Sequence, residues 1–221
     1  MTPTSVGAVI FDMDGVLIDS EPVWNRVRQK LAAEHGRIWD DDLQRACMGR
    51  STVEWAEVMR TGIPLRMTVP EVIEVVVARM VEEYERQLPL LPGAVEAVRR
   101  MAAAFPVALA SGSMTTLIHH VLRASGLEQV IPVVVLGDTI PRGKPAPDIY
   151  LEAARRLGAA PEHCAGIEDS ANGLRALRAA GMKAVAVPSP EYPLAEDVLA
   201  LAHLRLRTLD ELTVDAVKAL G

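Results

Sequence analysis

The sequence predicts an α/β protein, a doubly wound parallel sheet interrupted by an α-helical insertion, and three observations predict it. Short apolar runs alternate with Ala-, Leu- and Arg-rich helical stretches over most of the chain, the order expected of parallel βα units covered on both faces. Residues 19–88 break that alternation with helix signals and no clear strand. Polar residues that such a sheet would not otherwise need stand at the ends of its strands: Asp12 and Asp14, Ser111, then Glu168 and Asp169. Ligands of doubly wound sheets bind at the carboxyl ends of the strands, so those ends are the candidate site of this Rossmann-like core.

Taken in order, Ala8-Val9-Ile10-Phe11 between Gly7 and Gly15 reads as a buried strand. Helices follow at about 22–34, 52–60 and 69–87, the last opened by Thr68 and Glu71 at capping-box spacing. Its Val72–Val77 run has strand-like composition, but the cap and the length favour helix. Strands are expected at 106–110, 131–136, 164–167 and 184–187, and helices at 93–104, 114–125, 147–158 and 171–180. The core is therefore placed at 1–18 and 89–221 and the inserted cap at 19–88. Ser20-Glu21-Pro22 and Leu88-Pro89-Leu90-Leu91-Pro92-Gly93 are read as its linkers, an arrangement suited to a cap that opens and closes.

Composition narrows the functional classes. With 29 acidic against 23 basic residues, a net charge of −6 and no basic stripe, neither nucleic acid nor an anionic membrane is an expected partner. An anionic substrate would depend on local cations. Cys47 and Cys164 are too few for a disulfide framework and sit among apolar neighbours, which predicts reduced thiols in a cytoplasmic protein. Residues 1–6 lack the basic start of a signal peptide, and no apolar stretch approaches membrane-spanning length. A monomer is the default expectation.

Four stations carry the chemistry. In Asp12-Met13-Asp14, period-two alternation lets both carboxylates project to one side of the strand end, where a divalent cation would offset their repulsion. Hard oxygen ligands suit Mg²⁺. An EF-hand loop does not fit, because Gly15 is fourth from Asp12 and no helix precedes it. One carboxylate can attack phosphorus while the other serves as general acid and then base. Ala110-Ser111-Gly112-Ser113, before a helix, offers a hydroxyl and bare amides to an anion, the alternative being that Ser111 or Ser113 caps the helix beginning near Met114. Lys144, between Gly143 and Pro145, sits on a rigid turn as a point cation, the alternative being a solvated loop lysine. Glu168-Asp169-Ser170 is a second acidic pair at a strand end, with Asp169 or Ser170 also able to cap the next helix.

These four motifs, in this order over the whole chain, resemble those of the haloacid dehalogenase superfamily, in the branch with a helical cap inserted after the first motif. The resemblance implies Asp12 as nucleophile, Asp14 as general acid and base, and Ser111, Gly112 and Lys144 around the transferring phosphoryl group. It further implies Mg²⁺ held by Asp12, the Asp14 carbonyl and Asp169, with Glu168 a ligand or a support for the ligands. Dehalogenases of the superfamily lack the second Asp, so Asp14 favours phosphoryl transfer. Similar β-phosphoglucomutases carry a His where this chain has Trp24, which favours hydrolysis over isomerisation.

The stretches Ile18–Trp24, Leu91-Pro92-Gly93 and Val187–Glu191 resemble hexitol and 2-deoxyglucose-6-phosphate phosphatases. The expected substrate is thus a small sugar or polyol phosphomonoester, hydrolysed through an aspartyl-phosphate. The alternatives are a hexose phosphomutase and a non-catalytic phosphosugar-binding protein. Within the cap, Glu21 and Arg50 of the Gly49–Thr52 loop are candidate substrate contacts, with Trp24 and Asn25 also able to face the entrance; the alternatives are a surface arginine at Arg50 and, favoured for Trp24, a core stripe with Val27 and Leu31.

Overall fold

A computed structural model describes residues 5–48 and 50–221, and the chain divides into two compact units, Ser20–Pro89 and Met1–Asp19 with Leu90–Gly221. In the larger unit six parallel strands lie in the order β3-β2-β1-β4-β5-β6: β1 Ala8–Phe11, β2 Val107–Ser111, β3 Val133–Leu136, β4 Cys164–Glu168, β5 Lys183–Ala186 and β6 Leu204–Arg205. The helices of this unit are α5 Ala94–Ala102, α6 Thr115–Ala124, α7 Asp148–Leu157, α8 Ala171–Ala179, α9 Glu196–Leu199 and α10 Val214–Lys218. Alternate strand residues Ala8, Ile10, Ala108, Ala110, Ala184 and Ala186 pack with Ile149 and Tyr150 of α7 and Leu174 and Leu177 of α8. Small residues on that face let the helices approach closely. At Gly166 of β4, any side chain would run into Leu177.

Register sets the site. Phe11 pairs with Leu109 on one side and Ile167 on the other, and the Asp12 amide extends the ladder to the Ile167 carbonyl at 3.0 Å. The ends of β1, β2 and β4 therefore lie side by side, with Asp12, Ser111 and Glu168 at their tips.

The smaller unit holds α1 Glu21–Glu34, α2 Asp41–Cys47, α3 Thr52–Gly62 and α4 Val69–Arg86. The capping box at Thr68 and Glu71 is present at the start of α4. Sequence reading missed α2 because Asp40-Asp41-Asp42 hides any apolar period; its signal was Asp40, whose carboxylate caps the Leu43 amide at 2.9 Å. It also missed the two-residue β6. Glu21 and Pro22, expected in a linker, form the first turn of α1, where Pro lacks only an N–H that would have no helical partner. Likewise Leu90 and Leu91 are fastened to β1's loop, through a bridge to Ile18 and a 2.9 Å bond to the Leu17 carbonyl. Gly49 lies outside the described residues.

All three tryptophans of the chain surround the buried Arg28, its guanidinium 4.9 Å from Trp24, 5.6 Å from Trp55 and 6.0 Å from Trp39. Gln44 accepts from Arg28 at 3.3 Å and from Trp39 at 2.9 Å, which turns its amide nitrogen toward Glu21. Trp24 is thus core, as its stripe with Val27 and Leu31 implied. Trp24→Ala should destabilise this unit by about 3–5 kcal/mol, read by urea unfolding, because it empties an aromatic-sized space in a packed core.

At the sheet edge, His203 pairs with Ala184 twice: its amide donates to the Ala184 carbonyl at 2.8 Å, and its Nδ1 accepts from the Ala184 amide at 2.9 Å. The ring must be neutral to accept. Partial burial and the Arg178 and Lys183 charges hold its pKa below 6.5. As pH falls from there the unfolded chain binds the proton first, so stability is lost on acidification. His203→Gln should flatten that acid limb of the melting-temperature profile.

Candidate active site

Asp12 follows β1 and is buried, its Oδ1 2.8 Å from the Lys144 ammonium. Lys144 reaches Glu168 Oε1 at 2.6 Å, with the Tyr150 ring 5.0 Å beneath it. It stands before a cis Lys144–Pro145 peptide, with Pro147 at the start of α7. Lys144 is therefore no solvated loop lysine.

Glu168 is completely buried and uses both oxygens. Oε1 also accepts from the Tyr150 hydroxyl at 2.6 Å; Oε2 accepts from the amides of Asp169 and Ser170 at 3.1 Å and from Ser170 Oγ at 3.0 Å. Ser170 in turn caps α8 at the Gly173 amide, 3.0 Å away. A Cβ on Gly173 would overlap the Glu168 carboxylate, so the close approach of α8 requires glycine there. Tyr150 was not singled out from sequence, and Gly173 entered only as the last residue of the stretch Gly166–Gly173, without a role of its own. Tyr150's signal was a lone hydroxyl-bearing ring in the apolar stripe of α7.

Asp12, Glu168 and Asp169 offer carboxylate oxygens all within 4.8 Å of one another. Gly15, at φ 75°, passes so close to Asp169 that a Cβ would strike its carboxylate. Burial, then Glu168 and Asp14, push Asp12 up to about 7 against the pull of Lys144. Burial, then Glu168 and Asp12, push Asp169 up to about 9. Burial also opposes ionisation of Glu168, but Lys144, Tyr150 and the Ser170 amide hold it below the ordinary glutamate value. One ammonium thus faces more negative charge than it can balance. The donor set fits a hard divalent cation, with Glu168 already engaged by five protein donors.

The Asp14 carboxylate accepts at Oδ2 from Ser113 Oγ at 2.6 Å and Ser111 Oγ at 3.3 Å, while its buried Oδ1 has no hydrogen-bond partner among the described residues. Neither serine caps α6, which starts after Met114 without a side-chain cap. The structure thus brings Asp12, Asp14, Ser111, Gly112, Lys144, Glu168 and Asp169 to neighbouring strand ends in one unit. Glu21 and Arg50 belong to the other; Arg50 is exposed and its Nε donates to the Ala46 carbonyl at 2.5 Å.

Residues 6–181 match the family model of haloacid dehalogenase-like hydrolases. The chain is 36% identical over 222 residues to hexitol phosphatase B of Escherichia coli K12, covering 96% of each. It is 34% identical over 186 residues to the phosphorylated carbohydrates phosphatase of Thermotoga maritima, covering 80% of this chain and 83% of that one. The crystal structure of CbbY from Rhodobacter sphaeroides in complex with phosphate superposes with a TM-score of 0.84 at 25% identity, covering 97% and 99% of the two chains. With these matches on top of the four strand-end motifs, the chain belongs to the haloacid dehalogenase-like hydrolases.

Proposed function

We propose that the chain is a phosphomonoester hydrolase acting on small sugar or polyol phosphates through an aspartyl-phosphate on Asp12. The observation that carries it is the convergence of a buried carboxylate (Asp12), a buried ammonium (Lys144) and a second carboxylate with one free oxygen (Asp14) at adjacent strand ends. Hexitol and carbohydrate phosphatases among its relatives support the substrate class.

An Asp12 oxygen donates an electron pair to phosphorus as the bond from phosphorus to the sugar oxygen breaks. Asp14 supplies the proton that the departing oxygen needs. Water then attacks phosphorus, Asp14 takes its proton, and phosphate leaves with Asp12 restored. Lys144 and the Ser111–Gly112 amides balance charge on the phosphoryl oxygens, joined by the Ser111 hydroxyl when its hydrogen turns from Asp14 to the phosphoryl group. Glu168 and Tyr150 hold Lys144 in place. Mg²⁺, held by Asp12, Asp169 and the Asp14 carbonyl, would bring the substrate phosphate and Asp12 together and offset their repulsion. The helical unit, inserted between β1 and α5, serves as the cap that selects the sugar, with Glu21 and Arg50 as its candidate contacts. Two buried free thiols suit a cytoplasmic protein, and no helix among the described residues is long and apolar enough to cross a membrane.

The test is phosphate release from a panel of hexose and hexitol phosphates, with Mg²⁺ or with EDTA, beside conversion of glucose 1-phosphate to glucose 6-phosphate. Release should require the metal and favour particular sugars. Mg²⁺ alone should raise the melting temperature of the parent and not of Asp169→Asn, by binding only the folded state. Interconversion without release would make the chain a mutase instead.

A further inference from the structure

Ser113 has no part in the chemistry described so far. Two residues past the end of β2, it could be a helix cap, yet α6 begins without a side-chain cap. Its hydroxyl is instead spent on Asp14 Oδ2 at 2.6 Å, the shortest contact that carboxylate makes to protein. The Ser113 amide also donates to Ser111 Oγ at 3.1 Å, which turns the Ser111 hydrogen away from it and toward Asp14 Oδ2, 3.3 Å off. The turn that arranges this is tight: a side chain on Gly137, just after β3, would lie 2.7 Å from the Gly112 Cα.

The consequence is an asymmetric carboxyl group. Oδ2 accepts from serine hydroxyls and must keep its lone pairs for them. Oδ1 is shielded from solvent and makes no hydrogen bond among the described residues. A proton carried by Asp14 is placed on Oδ1, because on Oδ2 it would require the Ser111 and Ser113 hydroxyls to turn their own hydrogens elsewhere.

We propose that Ser113 is a positioning residue for the general acid: by engaging Asp14 Oδ2 it fixes the carboxyl and leaves Oδ1 as the oxygen that hands its proton to the leaving group. This rests on the phosphomonoesterase reading and deepens it. In the step concerned, the Asp14 Oδ1–H bond breaks and its proton joins the departing alkoxide as the phosphorus–oxygen bond breaks and the Asp12–phosphorus bond forms. Asp14 ends as a carboxylate, which still accepts from Ser113.

A leaving group that needs no proton separates this role from all others. A nitrophenolate is stable unprotonated at neutral pH, whereas a hexitol alkoxide is not. The experiment measures kcat/KM, which reads steps up to departure of the leaving group, for sorbitol 6-phosphate and for p-nitrophenyl phosphate. Asp14→Asn, the reference, should lose about 10²–10⁴-fold on the hexitol phosphate and far less on the aryl phosphate. Ser113→Ala should lose about tenfold on the hexitol phosphate and under about threefold on the aryl phosphate, one hydrogen bond's worth of alignment. Ser113→Thr, which keeps the hydroxyl, should restore the parent ratio. Should Ser113→Ala fail to fold, Ser113→Cys asks the same question with a weak donor.

Equal losses of Ser113→Ala on both substrates would overturn the proposal and make Ser113 a phosphoryl contact or a purely structural residue. No loss on either would overturn it too. If Asp14→Asn itself lost equally on both, the general-acid reading beneath it would fail instead.

Discussion

Asp12→Asn should abolish turnover and leave a folded protein. Removing a covalent nucleophile costs on the order of 10⁴–10⁶-fold in kcat, since the remaining groups then have nothing to carry the phosphoryl group. The substitution is isosteric, and Lys144 keeps a buried partner in Glu168 at 2.6 Å, so the loss should come without collapse of the site. Unchanged circular dichroism and melting would show that. The second readout is direct: acid quenching during turnover should trap a phosphate adduct on the Asp12 peptide of the parent, detectable by mass spectrometry, and none in the variant. Turnover retained by Asp12→Asn would rule out the covalent route, whatever the fate of the substrate class.

The core was legible because its signals are local and repeated. Short apolar runs alternating with helical stretches gave β1 to β5 within a residue or two; Asp12, Asp14, Ser111, Glu168 and Asp169 stood out because charges and hydroxyls at the ends of buried strands need a reason, and Lys144 because glycine and proline fix its turn. What stayed hidden was long-range. Nothing near Tyr150 in sequence says that its hydroxyl meets Glu168, 18 residues on, nor that Ser113 serves Asp14, 99 residues back. The fourteen-residue α1 announces itself by its apolar stripe, but α2, seven residues long and led by acids, is held by its cap and its packing and has no period to read. Arg28 is the sharpest case, an ordinary helix arginine in sequence that is 4% exposed inside a tryptophan cage.

Lys144 carries two burdens, and a pair of variants should separate them. Lys144→Met leaves Glu168, wholly buried, and Asp12, nearly so, without their shared cation. Breaking a buried pair from one side costs about 3–5 kcal/mol, because the charge left behind keeps its desolvation penalty and loses its compensation. Activity should fall by at least 10²–10³-fold, about what one well-placed electrostatic contact contributes to a charged transition state. Adding Glu168→Gln neutralises the wholly buried charge of the two left behind, and Asp12, already pushed up to about 7 by its burial, can take up a proton. The new amide oxygen can take the place of Oε2, which accepts from Asp169, Ser170 Oγ and the Ser170 amide, and its nitrogen then faces the Tyr150 hydroxyl oxygen, which can accept. The double variant should therefore recover most of the stability lost by Lys144→Met in urea unfolding while staying as inactive as the single one. Recovery of both would mean that Lys144 only holds the fold; recovery of neither would mean that the ammonium, and not the charge balance, is what the strand ends are built around.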